Sequence, residues 1–203
     1  MKNFGGNNEI GAQFVGLAGT LGAGKDTGAE HLAQEHGYLH VSTGDLLRNA
    51  ARSKGLDTDR NTLIQLGIDL RAEYGSQGAL VIKASELWQE DAEHYPGGYV
   101  VTGMRAIGEA QEVIALGGTL FFVEASVEGS HSRIASRRRD DEAAQTLEQF
   151  KTHWMLEMHG DTDDPTRPNL GAIKKISHFV LRNDSDTPES YLRALDSALN
   201  LSH

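Results

Sequence analysis

The sequence predicts a three-layer α/β/α domain built on a five-stranded parallel sheet. Five short apolar or β-branched runs recur along the 203 residues, and amphipathic segments separate them. Alternating strands and helices favour parallel strands that are joined by right-handed crossovers, with helices on both faces. No repeat or low-complexity linker divides the chain, so we expect one domain over residues 1–203, after a loose tail at 1–12.

Each predicted strand is a run of four to seven residues rich in Val, Leu, Ile, Phe or Tyr. Glycine or proline precedes most of these runs, as at Gly97-Gly98 and Gly117-Gly118. The predicted strands are 14–18, 38–42, 99–102, 119–125 and 178–182.

The intervening segments have apolar residues at helical spacing. The last one opens with Thr187-Pro188, a pair typical of an N-cap followed by the first helical position. The predicted helices are 25–36, 43–54, 59–74, 76–91, 106–116, 126–139, 146–158 and the helix that begins at Pro188.

Composition limits the classes of function. A net charge of −10 argues against broad binding to nucleic acid or to an anionic membrane. No apolar run approaches the roughly 20 residues that span a bilayer, and the start of the chain lacks the apolar region of a secretory signal. The chain has no cysteine, which fits a reducing compartment; we expect a cytoplasmic protein.

Histidine is frequent, with nine copies, but no H-E-x-x-H or similar spacing groups them. Without cysteine, this pattern indicates scattered core and surface histidines rather than a metal cluster.

The loop after the first strand, Gly19–Lys25, matches G-x-x-x-x-G-K and opens a predicted helix. Its glycines let backbone N–H groups converge on phosphate oxygens at a helix N-terminus, and Lys25 can bridge the β- and γ-phosphates. The alternative is a flexible glycine turn that only caps a helix. The predicted ATP-binding residues are Gly19, Leu21, Gly22, Ala23, Gly24, Lys25, Asp26 and Thr27.

Asp26 stands where such loops usually carry the Ser or Thr that touches Mg²⁺. Either Asp26 or Thr27 is therefore a candidate ligand for the Mg²⁺ that accompanies ATP. Asp26 could instead only complement the helix dipole.

The segment Ser42-Thr43-Gly44-Asp45-Leu46-Leu47-Arg48 resembles the monophosphate-binding motif S-T-G-D-x-L-R of adenylate kinases. The resemblance implies a P-loop nucleoside monophosphate kinase, with Thr43 and Arg48 holding the acceptor. Ser42 to Asp45 could also be an ordinary helix cap. Residues 43–91 would form the acceptor-binding helices.

The third strand ends in Thr102-Gly103-Met104-Arg105, which looks like the D-G-F-P-R of the same family. The resemblance implies that Arg105 and Gln111 contact the acceptor. Thr102 replaces the Asp that helps to organise Mg²⁺ in that family, and Arg105 could instead be a solvated residue at a helix start.

Arginines cluster before Asp140-Asp141 and resemble the R-x-x-x-R and R-x-D-D elements of the family's lid, which would be short here, about 131–146. The resemblance implies catalytic roles for Arg133, Arg137 and Arg139, in the manner of arginine fingers. A solvated, charged helix end is the alternative.

The segment Leu70–Gly75 is similar to the corresponding segment of small kinases of the phage deoxynucleotide and archaeal type. This similarity implies that Arg71 contacts the acceptor.

Together these observations predict transfer of a phosphoryl group from ATP·Mg²⁺ to a nucleoside or deoxynucleoside monophosphate, by a monomer or a small homo-oligomer. Two alternatives stay open. One is an enzyme like dephospho-coenzyme A kinase, and the other is a nucleotide-binding switch or scaffold with little transferase activity.

Overall fold

The computed structural model describes residues 13–137, 146–160, 168–185 and 187–201. Five parallel strands form one sheet in the order β2-β3-β1-β4-β5. The strands are β1 (Gln13–Gly19), β2 (Tyr38–Ser42), β3 (Gly98–Thr102), β4 (Thr119–Glu124) and β5 (Phe179–Arg182). The helices are α1 (Lys25–His36), α2 (Thr43–Ser53), α3 (Arg60–Tyr74), α4 (Ala79–Glu90), α5 (Ile107–Ala115), α6 (Val127–Arg137), α7 (Leu147–His159), α8 (Leu170–Ile176) and α9 (Glu189–Leu199).

Helices cover both faces of the sheet, because successive strand residues point to opposite sides and both sides are apolar. On one face, Phe122 and Val101 pack with residues of α4, α5 and α8. On the other face, Phe121 and Val100 pack with α1 and α9. The predicted three-layer α/β/α architecture is confirmed.

Strand β1 occupies the middle of the sheet, between β3 and β4. Leu17 pairs with Thr102 on one side, and Gly19 pairs with Val123 on the other. The loop after β1 therefore lies between the carboxyl ends of two strands, where ligands bind in open parallel sheets. The helices α2, α3 and α4 all lie in the connection from β2 to β3.

The sequence analysis did not predict α8. This helix has only seven residues, of which Leu170 and Ile173 are buried, and Asn169 caps it by accepting the N–H of Ala172 at 2.9 Å. Seven residues give fewer than two turns of periodicity, so the apolar pattern alone is too short to indicate a helix.

Most predicted boundaries in the described residues differ from the observed ones by one residue, and one differs by three. The helix expected from residue 76 begins at Ala79, and α9 begins at Glu189, with Pro188 as its N-cap. The predicted tail at 1–12 and residues 138–145 of the predicted lid lie outside the described residues. Within the described ranges, no helix combines the length and the apolar character needed to cross a membrane.

Candidate active site

The loop between β1 and α1 curls over the first turn of α1. Gly22 and Gly24 have φ values of 76° and 103°, in a region that residues with a Cβ disfavour. A Cβ on Gly24 would also overlap the Asn183 side chain, so glycine is required there for space as well as for conformation. The first amides of α1 lack partners within their helix. Together with the positive end of the helix dipole, they form a potential anion site.

Lys25 is the first residue of α1 and is half-buried. Its Nζ donates a hydrogen bond to the Thr20 carbonyl at 2.7 Å. This contact holds the ammonium group against the loop, which is where the sequence analysis expects the charge of a bound triphosphate.

Asp26 and Thr27 complete the first turn of α1, and both are half-buried. The carboxylate of Asp26 also acts on Tyr191 of α9. Burial raises the pKa of the Tyr191 hydroxyl, and the negative charge of Asp26 raises it further. Carboxylate and hydroxyl oxygens are the ligand types that Mg²⁺ accepts. The chemistry of this pair therefore fits the predicted metal.

Arg133 extends from α6 to the phosphate loop. One guanidinium nitrogen donates to the Asn183 carbonyl at 2.6 Å and lies 3.3 Å from the Ser185 carbonyl, while the other lies 3.4 Å from the Gly22 carbonyl. The structure thus brings Arg133 to the predicted site, where it ties the phosphate loop to the segment after β5. Arg137 ends α6, but its side chain and all of Arg139 lie outside the described part of the chain.

Asn183 is a site residue that the sequence analysis did not single out. It is buried, its amide nitrogen Nδ2 donates to the Ala23 carbonyl at 2.9 Å, and its backbone N–H donates to the Glu124 backbone carbonyl at 2.9 Å. Asn183 therefore joins the end of β5 to the phosphate loop and to β4. An Asn after a strand usually indicates a turn, and only the folded chain reveals this longer-range contact.

A second group of predicted residues gathers at the carboxyl ends of β2 and β3. Thr43 begins α2 and is buried. Gly103 follows β3 with a φ of 82°, and a Cβ on it would lie 2.7 Å from the Thr43 hydroxyl. This close approach places the start of α2 directly beside the segment that leads to Arg105.

Arg48 lies one turn into α2. Its Nε and a terminal nitrogen donate to the same carboxylate oxygen of Asp45 at 3.1 and 2.8 Å. The guanidinium also lies above Gly44, where a Cβ would be 3.3 Å from it. Both partners of this ion pair are exposed, and exposed pairs contribute little stability. Arg48 can therefore exchange Asp45 for a phosphate at small cost.

Arg71 comes from α3, and its side chain is only 16% exposed. One terminal nitrogen lies 3.4 Å from the Glu109 carboxylate, and its Nε is buried without a hydrogen-bond partner. A buried donor without a partner costs about 1–3 kcal/mol. An anion beside Arg71 would remove that cost.

Glu109 on α5 is a second residue that the sequence analysis missed. Its other carboxylate oxygen accepts the backbone N–H groups of Arg105 at 2.9 Å and of Ala106 at 3.3 Å. Burial raises the pKa of Glu109, and these N–H groups together with Arg71 oppose that shift. Glu109 therefore connects two of the predicted acceptor arginines.

Arg105 itself points outward. Its side chain is 57% exposed, and a terminal nitrogen donates to Glu157 of α7 at 2.9 Å. Gln111 is exposed on α5, and the 3.6-residue turn places it about 200° around the helix from Glu109. The structure thus brings Thr43, Arg71 and Arg105 into one region. Gln111 does not belong to this group, because it lies on the opposite side of α5 from Glu109.

Thr102 ends β3 and is fully buried. Its hydroxyl forms a hydrogen bond of 3.0 Å with His40 Nε2 across from β2. Burial lowers the pKa of His40, and the nearby carboxylates, Asp26 first, oppose that shift. A hydrogen-bonded pair of a hydroxyl and an imidazole therefore occupies the strand end where the resembling kinases have a carboxylate.

Several known proteins are similar to this chain in sequence or in structure. A family model described as an AAA domain matches residues 18–151. A UPF0200 protein of Pyrobaculum aerophilum is 30% identical over 189 residues, which cover 91% of this chain and 95% of that protein. An adenylate kinase of Parvibaculum lavamentivorans is 35% identical over 136 residues, which cover 64% of this chain and 62% of that enzyme. A solved shikimate kinase of Acinetobacter baumannii, in complex with shikimate, has a TM-score of 0.52 at 16% identity and covers 93% of this chain and 94% of its own. That last likeness shows the fold alone.

Proposed function

The chain belongs to the AAA-domain family of P-loop kinases, and from that premise we propose that it transfers the γ-phosphoryl group of ATP to a nucleoside or deoxynucleoside monophosphate. ATP and this acceptor are its proposed partners. We propose that it acts in the cytoplasm as a monomer or a small homo-oligomer.

The observation that carries this proposal is the state of Arg71. Its guanidinium is largely buried, its Nε has no hydrogen-bond partner, and it lies beside Glu109, which also binds the backbone of Arg105. Arginine binds phosphate through a planar fork of donors. A monophosphate placed between Arg71 and the exposed Arg48 and Arg105 would pair three guanidinium groups with one anion.

The donor side would be held by the loop 19–25 and by the first turn of α1. The loop amides would bind the phosphates, and Lys25 would leave the Thr20 carbonyl for the β- and γ-phosphates. Asp26 and Thr27 are the residues that would hold Mg²⁺, which would supply positive charge to neutralise the phosphates when ATP brings it.

The transfer then needs positioning more than proton chemistry. An acceptor phosphate oxygen is already anionic, so it forms a bond to the γ-phosphorus while the bond to the β-phosphate oxygen breaks and ADP leaves. Lys25 would stabilise the charge that develops in this step. Arg133 would fix the shape of the phosphate loop through the Gly22 and Asn183 carbonyls.

A hydroxyl acceptor is the alternative, as in an enzyme like dephospho-coenzyme A kinase. A hydroxyl must give up a proton, which favours a carboxylate base near the nucleophile. Thr102 stands at the end of β3 in place of a carboxylate, and its hydroxyl is hydrogen-bonded to His40 Nε2. A hydroxyl acceptor would therefore need His40 to give up this contact before it could serve as the base.

The decisive experiment is transfer from ATP·Mg²⁺ across a panel of ribo- and deoxynucleoside monophosphates, with dephospho-coenzyme A and shikimate included. Lys25→Ala should lower the transfer rate by on the order of 10²–10³-fold, and Arg48→Ala should weaken binding of the acceptor. Arg52→Ala is the matched control, since Arg52 lies on the same helix and hydrogen-bonds Asn49. Transfer to a hydroxyl acceptor alone, or ATP binding without any transfer, would refute the proposal; the second result would favour a nucleotide-binding switch or scaffold.

A further inference from the structure

Three side chains of types that can bind a metal meet far from the candidate active site, where the end of α1 packs against α9. His31 Nε2 lies 2.9 Å from both carboxylate oxygens of Asp196, and His36 Nε2 lies 3.3 Å from one of them. The ligand atoms of all three residues lie within 4.8 Å of one another. His36 ends the helix that Lys25 begins, so the cluster lies roughly 16 Å along α1 from the phosphate loop.

These separations suit a tetrahedral metal ion. Ligand atoms about 2.0–2.1 Å from Zn²⁺ stand about 3.3 Å from each other. His36 Nε2 already lies 3.3 Å from a carboxylate oxygen of Asp196. His31 Nε2 would need to move away from that carboxylate by only about 0.4 Å. An ion can therefore enter this cluster with small side-chain shifts.

Burial makes the cluster hard to explain by hydrogen bonding alone. Asp196 is completely buried, and a buried carboxylate needs a partner, which His31 supplies. His36 Nε2 is also buried yet makes no hydrogen bond. Its ring meets the ring of His31 edge to face at 5.3 Å between centroids. A metal ion would give His36 Nε2 a bonding partner and would neutralise Asp196 at the same time.

The rings of the two histidines reach the protein surface. The His31 and His36 side chains keep 17% and 13% of their surface exposed. An ion could therefore reach the buried carboxylate past the two imidazoles, and a water molecule could complete the coordination.

We propose that His31, His36 and Asp196 form a binding site for a divalent transition-metal ion of the Zn²⁺ type, with water as the fourth ligand. Two imidazoles and a carboxylate suit this class of ion. The sequence analysis expected scattered histidines, because these three residues are far apart or irregularly spaced along the chain. A bound ion would clamp α1, which carries the phosphate loop, to α9.

Calorimetric titration of tag-free, metal-depleted protein with Zn²⁺ tests the site. We expect one ion per chain for the wild type and binding at least about 10-fold weaker for His36→Gln and for Asp196→Asn. Co²⁺ should give the intense visible absorption of a tetrahedral ion in the wild type and lose it in both variants. His94→Gln is the matched control, because His94 also contacts an aspartate, Asp91, but on the exposed surface.

His36→Gln decides the test if Asp196→Asn does not fold, since His36 lies at the end of its helix; circular dichroism verifies the fold. Zn²⁺ affinity that His36→Gln leaves unchanged would overturn the proposal. So would a wild-type Co²⁺ spectrum typical of six-coordinate cobalt. These measurements do not depend on the proposed transferase activity, so the two proposals can fail separately.

Discussion

The proposed donor and acceptor sides of the candidate active site differ in how their side chains are held. On the donor side, backbone carbonyls hold the functional groups: Lys25 donates to Thr20, Arg133 to Asn183, and Asn183 to Ala23. On the acceptor side, the arginines pair with side-chain carboxylates on helices α2, α5 and α7. The phosphate loop is thus built into the fold, whereas each acceptor arginine has a replaceable partner.

This difference indicates how the two sides would respond to ligands. The backbone contacts of Arg133 and Asn183 depend on the packing of the sheet and cannot be exchanged without changing the loop. Lys25 would exchange only the Thr20 carbonyl for a phosphate, and the loop would keep its shape. A carboxylate and a phosphate bind a guanidinium group with similar geometry, so a carboxylate can hold an arginine until a phosphate replaces it. We therefore expect the donor side to bind with little rearrangement and the acceptor arginines to exchange partners.

The largest effect is expected from Lys25→Ala. Loss of one preorganised charge at the transferring group lowers kcat/KM on the order of 10²–10³-fold. Lys175→Ala, at an exposed position on α8, is the control. Steady-state transfer rates check this, and a loss below 10-fold would show that the donor side does not supply the main charge.

Arg48→Ala should separate the two sides. Loss of a hydrogen-bonded charge costs about 1.5–3 kcal/mol, so the acceptor KM should rise roughly 10- to 100-fold while the KM for ATP stays unchanged. Arg52→Ala should leave both values unchanged. An equal rise in both KM values would contradict the assignment of Arg48 to the acceptor.

Gly24→Ala tests whether the donor loop is built into the fold. The new Cβ is strained at a φ of 103° and overlaps Asn183, so we expect a loss of about 1–3 kcal/mol in the free energy of unfolding and weaker ATP binding. Gly55→Ala is the matched control, since Gly55 also has a positive φ, 67°, but nothing lies within 4 Å of its Cβ. Denaturant titration compares the two variants, and equal losses would mean that backbone strain alone is responsible.

The smallest effect, and one of opposite sign, is expected from Glu157→Gln. Removal of this carboxylate releases Arg105, and a partly exposed ion pair such as this one contributes up to about 1 kcal/mol. The acceptor KM should therefore fall up to about 5-fold. Glu93→Gln, an exposed change in the one-turn helix Ala92–His94, controls for net charge. A rise in KM would show that Glu157 positions Arg105 instead of competing with the acceptor.

The same comparison explains what the sequence could predict. The phosphate loop and α1 depend on neighbouring residues, so glycines at fixed spacing before Lys25 indicate them directly. Asn183, Glu109 and Glu157 contact the phosphate loop or the acceptor arginines, but they come from distant segments of the chain. In the sequence alone, each of them looks like an ordinary turn, cap or surface residue. The predictions for Arg137 and Arg139 concern side chains outside the described residues and stay predictions.

The strand order sets a sequence of events during synthesis. Strand β1 emerges first, yet Gln13 pairs with Gly98 and Val15 pairs with Thr119. At about 5–20 residues per second, a ribosome needs several seconds to supply both neighbours of β1. Contacts between segments this far apart also form slowly. We therefore expect nascent chains that end before β4 to be unable to bind nucleotide, although they already contain the whole phosphate loop.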